Sequence, residues 1–388
     1  MRGKDGNLLL VGNYAPGTGY AWWLMQRYWL EIADLANRMG LSTYLAYPEE
    51  GPLPTAISRS TIEVLWRSFD TTDAGGIARA VGLLRRLRIR NIYLTDRAFF
   101  SPAYLAFRAA GVRRIINHDH TPGDRPRIDG LRGALKGLRN RLPAMRVDQW
   151  IALSPLMRTR AIENGRIPPD RVVVVPNGID PIERWSGAAE SVRSTFGLAP
   201  DARVVVTVGR AHPYKRIDFV LRLARRVTDS RPNAAVTFLY IGDGPDMHRL
   251  KSIAEGLELR SPRVVFAGHR ADVRTILPGC DVALHPSQGE GFSLAILEYL
   301  SAGLPTLVPD IPSVAQIIEP DQTGFIYRDD DLGDAEQRLL WLLDHDEARE
   351  RMGDSAAAFV KREHGLDHAS SCLRSVVRQH LWTRDLGE

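Results

Sequence analysis

Short apolar runs alternate with longer amphipathic segments along almost the whole chain, and that rhythm leaves few folds open. Strand candidates in the first half are Leu8–Gly12, Thr43–Ala46, Ile62–Leu65, Ile92–Leu94, Ile115–Asn117, Trp150–Leu153 and Val172–Val175. Helix candidates such as Ala21–Arg38, Gly76–Leu87 and Pro155–Asn164 lie between them. A β-α-β-α order predicts a mostly parallel sheet with helices on both faces. The rhythm pauses at Pro176-Asn177-Gly178-Ile179-Asp180-Pro181, which reads as a turn and linker. It resumes with strands Val204–Gly209, Thr237–Gly242, Val264–Ala267, Val282–His285 and Thr306–Pro309. The helices between these are Arg216–Thr228, Met247–Gly256, Val273–Leu277, Phe292–Gly303 and Val314–Glu319, with helical tail segments Leu332–His364 and His368–Trp382. At 388 residues the chain exceeds one ordinary core and fits about two domains. Two α/β halves in tandem make a cleft between them the natural ligand site.

No apolar run approaches the ~18–20 residues of a membrane span, and the N-terminal run is too short for a signal-peptide core. The two cysteines, Cys280 and Cys372, lack metal-type spacing, which argues against a disulfide scaffold and makes a reducing cytoplasm the expected compartment. Charge is divided unevenly. Residues 1–185 hold 27 Lys and Arg against 17 Asp and Glu, whereas residues 186–388 hold 24 against 29. The basic half is therefore the one expected to meet something anionic: nucleic acid, a membrane surface or a phosphorylated substrate.

Four signals follow predicted strands of the second half, at the edge where open parallel sheets bind ligands. In Gly209-Arg210-Ala211-His212-Pro213-Tyr214-Lys215, two cations sit where a helix opens, a place suited to a pyrophosphate; a solvated surface loop is the alternative. Gly242-Asp243-Gly244 permits a tight turn and close backbone approach to a ligand, or is a plain strand-to-helix turn; the three-glycine dinucleotide spacing is absent. Gly268-His269-Arg270 is the third signal, and a connecting loop would look the same. The fourth runs from His285 to Glu298. Glu290 precedes a helix and Glu298 lies about two turns into it, near 12 Å along the axis. That is too far apart for the paired acids of a hydrolase, but suits two hydroxyl-binding carboxylates at opposite ends of an elongated ligand. Gly291, Phe292, Ser293 and Leu294 would offer N–H groups to phosphate oxygens between them. A capping acid and an exposed helical glutamate are the alternative.

The segment Glu290–Glu298 resembles the Glu-x7-Glu motif of the retaining GT-B glycosyltransferases of family 4 type. The other three signals, the 176–180 element, Ser154 and Gly324-Phe325 match that group's pattern in order, over most of residues 150–330. The resemblance implies an α/β, GT-B architecture: two Rossmann-like doubly wound domains facing across a cleft. Residues 1–180 would form the acceptor-side domain and 181–367 the donor-binding domain, with 368–388 a helix crossing back to pack on the first. It further implies a nucleotide diphosphate sugar donor, UDP- or GDP-linked. Arg210 and Lys215 would hold the diphosphate together with the backbone of Phe292–Leu294. Glu298 would bind the ribose and Glu290 the donor sugar, with Gly242, Gly244, His269 and Arg270 bordering the nucleoside. No metal or other cofactor is implied, because Arg and Lys replace a divalent ion. The residue after Lys215 is Arg216, where similar proteins usually have glycine; it could alter the helix start or simply point to solvent.

In the first half, Gly17-Thr18-Gly19 follows the first strand and could close over a phosphate or an acceptor; the family's loop here often has adjacent glycines. The resemblance also places a histidine at the end of the strand Ile115–Asn117, in contact with the donor sugar. His118 fits as the first residue past the strand, with His120 its rival. Residues 127–146 set Leu131, Ala134, Leu135, Leu138 and Leu142 at helical spacing among Arg132, Lys136, Arg139 and Arg146. Such a segment is either an ordinary surface helix or one that lies on an anionic membrane surface, at the inner face of the membrane. No nucleic-acid motif accompanies the charge. The reading is hexose transfer to an acceptor hydroxyl, on a lipid-linked or saccharide acceptor, with retention. Its rivals are a non-catalytic nucleotide-sugar binder and an NAD-dependent oxidoreductase.

Overall fold

The computed structural model describes residues 6–16, 22–70, 73–123 and 126–382. The chain divides into two compact units, one made of residues up to Pro176 together with those from Asp367 on, the other of Asn177–Leu366.

The first unit carries, among the described residues, strands β1 (Asn7–Val11), β2 (Thr43–Tyr47), β3 (Glu63–Trp66), β4 (Ile89–Thr95), β5 (Arg114–Asp119), β6 (Gln149–Ala152) and β7 (Val172–Val174). All pair in parallel, in the order β3-β2-β1-β4-β5-β6-β7. The C-terminal helix Leu366–Leu381 belongs with this unit; Leu373 and Val377 are buried, and Arg374 Nη1 lies 2.7 Å from Glu31 Oε2.

The second unit carries β8 (Arg203–Val208), β9 (Val236–Ile241), β10 (Val264–Phe266), β11 (Val282–Leu284), β12 (Thr306–Pro309) and β13 (Gly324–Tyr327). They too are parallel, in the order β10-β9-β8-β11-β12-β13. Alternation along β8 shows why helices cover both faces. Val205 packs with Phe219, Leu223, Val227 and Leu339 from helices Ile217–Ser230 and Leu332–Asp344. Val204, Val206 and Val208 face the other way, onto Val192, Ile276 and Tyr299 from helices Ala188–Phe196, Val273–Ile276 and Leu294–Ser301. Each such aliphatic side chain contributes about 1.5–3 kcal/mol on burial, and a strand apolar on both faces needs cover on both. Strand order reverses between β8 and β11 here, and between β1 and β4 in the first unit. Ligands of open α/β sheets bind at that reversal, outside the carboxyl ends of the strands.

The structure differs from the sequence expectations in several elements. β13 was not anticipated. It opens on a glycine whose added Cβ would lie 2.0 Å from the Thr306 carbonyl oxygen, so the close pairing with β12 depends on a residue that weakens the strand pattern. Helices Pro102–Ala109 and Ala188–Phe196 were also missed. The expected helix Val314–Glu319 is a short turn at Pro312–Ala315, started by its proline. The tail segment Leu332–His364 is two helices, Leu332–Asp344 and Asp346–Glu363, broken at His345 (φ −121°, ψ 74°).

Candidate active site

Three loops at the carboxyl edge of the second sheet are knitted together backbone to backbone. Ala211 N–H, after β8, donates to Asp243 O (2.9 Å), and Gly242 N–H, after β9, donates to Gly268 O after β10 (2.9 Å). The approach leaves no room for side chains: a Cβ on Gly242 would lie 1.9 Å from Gly209 O, and one on Gly244 would lie 2.6 Å from Ala211 O. These glycines therefore set the loop that presents Arg210 and Lys215. Arg210 is exposed, and its Cγ passes beside Gly244.

Lys215 ends a 3₁₀ turn, Pro213–Lys215, and its Nζ donates to Glu290 Oε1. Glu290 lies in the loop after β11, where His285 Nε2 stands 3.0 Å from the same oxygen. The two loops are tied again where Gln288 N–H donates to Tyr214 O (2.8 Å). Burial alone would raise the Glu290 pKa, but the Lys215 charge and the His285 hydrogen bond bring it down to about 2. Burial pushes His285 the other way, below the usual histidine value, even against the Glu290 bond. A neutral His285 facing a carboxylate carries its proton on Nε2. Together the three side chains form a charged, nearly enclosed cluster beside the reversal of strand order.

Helix Leu294–Ser301 starts later than the expected Phe292, with Ser293 as its cap and Glu298 in its second turn. Gly291 and Phe292 lie in the loop before it. Glu298 is buried and pairs with Arg274 (Nη1 to Oε1, 3.3 Å), whose Nη2 also donates to Asp180 O (2.6 Å). The two glutamates thus hold different cations. Arg270 is engaged bidentately by Asp272 (2.8 and 2.6 Å), while His269 is exposed. Arg216 does not point to solvent. It is buried, with Nη1 and Nη2 each 2.5 Å from the carboxylates of Asp329 and Asp330. Its φ of +53° explains why glycine suits this position.

In the first unit, β5 runs to Asp119. His118 therefore lies within the strand, and the first residue past it is His120. His118 is fully buried, with Nδ1 2.5 Å from the Tyr93 hydroxyl and its ring 4.2 Å from that of His120. Burial holds both histidines below the ordinary value; for His120 this outweighs Asp96 and Asp119. Gly17 and Gly19 lie outside the described residues. Among the described residues no group of three or more His, Cys, Asp or Glu is placed to hold a metal, and no helix is long and apolar enough to cross a membrane.

Helix Gly130–Arg139 packs through its small side. Gly133 is buried, its added Cβ meeting Ile128 O at 2.2 Å, and Asn140 donates to Gly165 O and Arg166 O (both 3.0 Å). Its leucines face outward: Leu131, Leu135 and Leu138 are 77, 56 and 64% exposed, and Leu142 just beyond is 47% exposed. An ordinary surface helix would bury that stripe.

Two family models match the chain in tandem: Glycosyltransferase Family 4 over residues 25–183 and Glycosyl transferases group 1 over residues 189–359. The chain belongs to the GT-B glycosyltransferases of family 4 type. The structure of Anabaena Alr3699/HepE in complex with UDP and glucose matches this glycosyltransferase fold with a TM-score of 0.74, 17% identity, and coverage of 96% of this chain and 100% of that one. D-inositol 3-phosphate glycosyltransferase from Nocardia farcinica is 30% identical over 195 residues, 49% of this chain and 43% of that protein. The Escherichia coli UDP-Gal:alpha-D-GlcNAc-diphosphoundecaprenol alpha-1,3-galactosyltransferase is 29% identical over 182 residues, 46% of each. The chain thus spans less than half the length of these two relatives. Within this family member, sequence reasoning passed over His285 and Arg274, which partner the two glutamates. His285 directly follows a strand and could have been found by position; Arg274 is 24 residues from its partner and carries no local signal.

Proposed function

We propose that the second unit binds a nucleotide diphosphate sugar, UDP- or GDP-linked, and that the protein transfers the hexose to an acceptor hydroxyl with retention at the anomeric carbon. The observation that carries this reading is the Lys215–Glu290–His285 cluster, with Arg210 on the same loop, at the strand-order reversal between β8 and β11. The named donor of the E. coli relative and the ligands of the Anabaena structure support it. In this account Lys215 leaves Glu290 for the phosphates as the donor enters, and Arg210 joins it. Both then stabilise charge on the departing diphosphate, so no metal is required. Glu290, freed of Lys215 and still held by His285, accepts from sugar hydroxyls, and Glu298 accepts from the ribose. N–H groups of Gly291–Leu294 meet the diphosphate. Gly242, Gly244, His269 and Arg270 border the nucleoside; donor contact by Gly17 and Gly19, which lie outside the described residues, is part of the same proposal. His120 is the histidine we place against the ligand, since His118 is enclosed and bonded to Tyr93.

The acceptor we propose is lipid-linked. The outward leucines of helix Gly130–Arg139 would enter the interface of an anionic membrane, and Arg132 beside them would meet its headgroups. On this proposal the protein would work at the cytoplasmic face of a membrane. A thermal-shift screen against UDP-, GDP-, ADP- and TDP-sugars tests the donor class, because a ligand that binds only the folded state raises apparent stability with its concentration over Kd. One nucleotide series stabilising the protein, followed by sugar transfer to a lipid-linked acceptor, is the expected result. Stabilisation without transfer or donor hydrolysis would favour a non-catalytic binder.

A further inference from the structure

The residue that follows Lys215 adopts a backbone conformation that glycine takes freely and an arginine takes at a cost. Arg216 has φ 53° and ψ 42°; it closes the 3₁₀ turn carrying Lys215 and opens helix Ile217–Ser230. The contacts of its side chain offset that strain. Here the guanidinium bridges two successive carboxylates, Nη1 to Asp329 Oδ1 and Nη2 to Asp330 Oδ1, both at 2.5 Å. It also lies over the Phe219 ring (5.3 Å to its centroid), and Phe219 stacks flat on Tyr327 (5.3 Å, 10°). Tyr327 ends β13, and Asp329 and Asp330 lie in the turn that follows. Asp330 is itself in the left-handed region, at φ 57°. One side chain therefore joins the Lys215 turn, the first turn of the next helix and the turn after β13. Two aspartates neutralise its charge, so it adds little field to an anion bound nearby. What it adds is fixity.

We propose that Arg216 is a positioning residue: its clamp on Asp329 and Asp330 fixes the backbone of Lys215, so that Nζ exchanges Glu290 for a phosphate from one set point. This rests on the donor reading above. Glycine allows the conformation but does not enforce it; the arginine enforces it through side-chain bonds. Displacing a charge-stabilising group by about 1 Å can cost on the order of 10²-fold in rate.

The test uses the full chain, with UDP and GDP as probes of diphosphate binding and release of hexose from the matching nucleotide sugar as turnover. Arg216→Gly keeps the backbone conformation and removes the clamp. It should lower turnover about 10- to 100-fold and weaken binding of the preferred diphosphate about tenfold. The double variant Asp329→Asn/Asp330→Asn, which keeps the arginine, should reproduce both losses, and it serves if the glycine variant folds poorly. Arg216→Lys should recover only part, since an ammonium cannot bridge two carboxylates as a planar fork does. In a Lys215→Ala background, Arg216→Gly should change diphosphate affinity less than about twofold, because the residue it positions is gone. Parent-level turnover and affinity in Arg216→Gly, with Lys215→Ala impaired, would overturn this inference alone. So would an affinity loss that persists undiminished without Lys215. Intact binding and turnover in Lys215→Ala would instead overturn the donor reading, and this inference with it.

Discussion

At the scale of single residues, the account turns on a lysine and a glutamate that neutralise each other until a ligand separates them. Lys215→Ala or Arg210→Ala should lower turnover by about 10²–10³-fold, since both are proposed to act on charge that develops as the diphosphate leaves. Arg210→Ala, at an exposed side chain, should keep the parent's melting temperature, whereas Lys215→Ala should lower it, because Glu290 is left buried with only His285 beside it. Steady-state kinetics beside thermal melts checks this. Glu298→Ala should act mainly on donor KM, by about tenfold or more, because the ribose contact proposed for it would be made in ground and transition states alike. Two buried histidines and a third that is only slightly exposed give the protein a pH signature. His118, His120 and His285 are held below their ordinary value by burial. The unfolded chain therefore binds more protons than the folded one below about pH 6.5, and stability is full above that pH and falls as pH drops. Each histidine kept neutral contributes a slope of up to about 1.4 kcal/mol per pH unit. Urea melts between pH 5 and 8 should show the decline, and His118→Asn should flatten it. Glu290 acts in the same direction at lower pH: its folded value is about 2, so its contribution is present above the unfolded carboxylate range and is lost as pH falls towards 2. Among these residues, Arg210, Lys215, Glu290 and Glu298 were legible because short motifs at strand ends carry them. Arg216's contacts were not, since its partners lie 113 and 114 residues away.

At the scale of elements, strands buried on both faces were legible from their continuous apolar runs, whereas elements set by close backbone contact were not. β12 matched its expected limits, Thr306–Pro309, but β13, next to it, was hidden by the glycine its pairing requires. β5 extends past its apolar run into Asn117, His118 and Asp119, because hydrogen-bonded pairing with β6 continues regardless of polarity; that is why His118 was misplaced beyond the strand end. The glycine loops carry a stability prediction. Gly242→Ala forces a methyl against the Gly209 carbonyl and should cost about 1–3 kcal/mol, with weaker diphosphate binding, as read by denaturant melts and calorimetry. Helix Gly130–Arg139 carries another. If its outward leucines enter a bilayer, the parent should co-sediment with phosphatidylglycerol vesicles, less so at high salt. Leu131→Glu/Leu135→Glu/Leu138→Glu should abolish that association and leave UDP and GDP binding unchanged. Equal sedimentation of the triple variant would show that the exposed stripe serves something else.

At the scale of the whole molecule, the repeated strand–helix rhythm was enough to anticipate two parallel α/β sheets, because a parallel sheet needs a crossover between strands and few folds satisfy that twice. The charge division could not be assigned a partner from counts alone; the structure locates one concentrated expression of it on the leucine-striped helix of the first unit. In the second unit, which is acidic overall, the cations proposed to meet the donor stand at the reversal of strand order, where the topology itself makes room for a ligand. The most direct measurement of the central claim is calorimetric titration of UDP and GDP into the parent and into Arg210→Ala/Lys215→Ala. The account predicts that one of the two nucleotides binds the parent and that its affinity drops at least about 100-fold in the double variant, two charge-assisted contacts being lost from a site that remains folded. Equal affinity in the two proteins would contradict it.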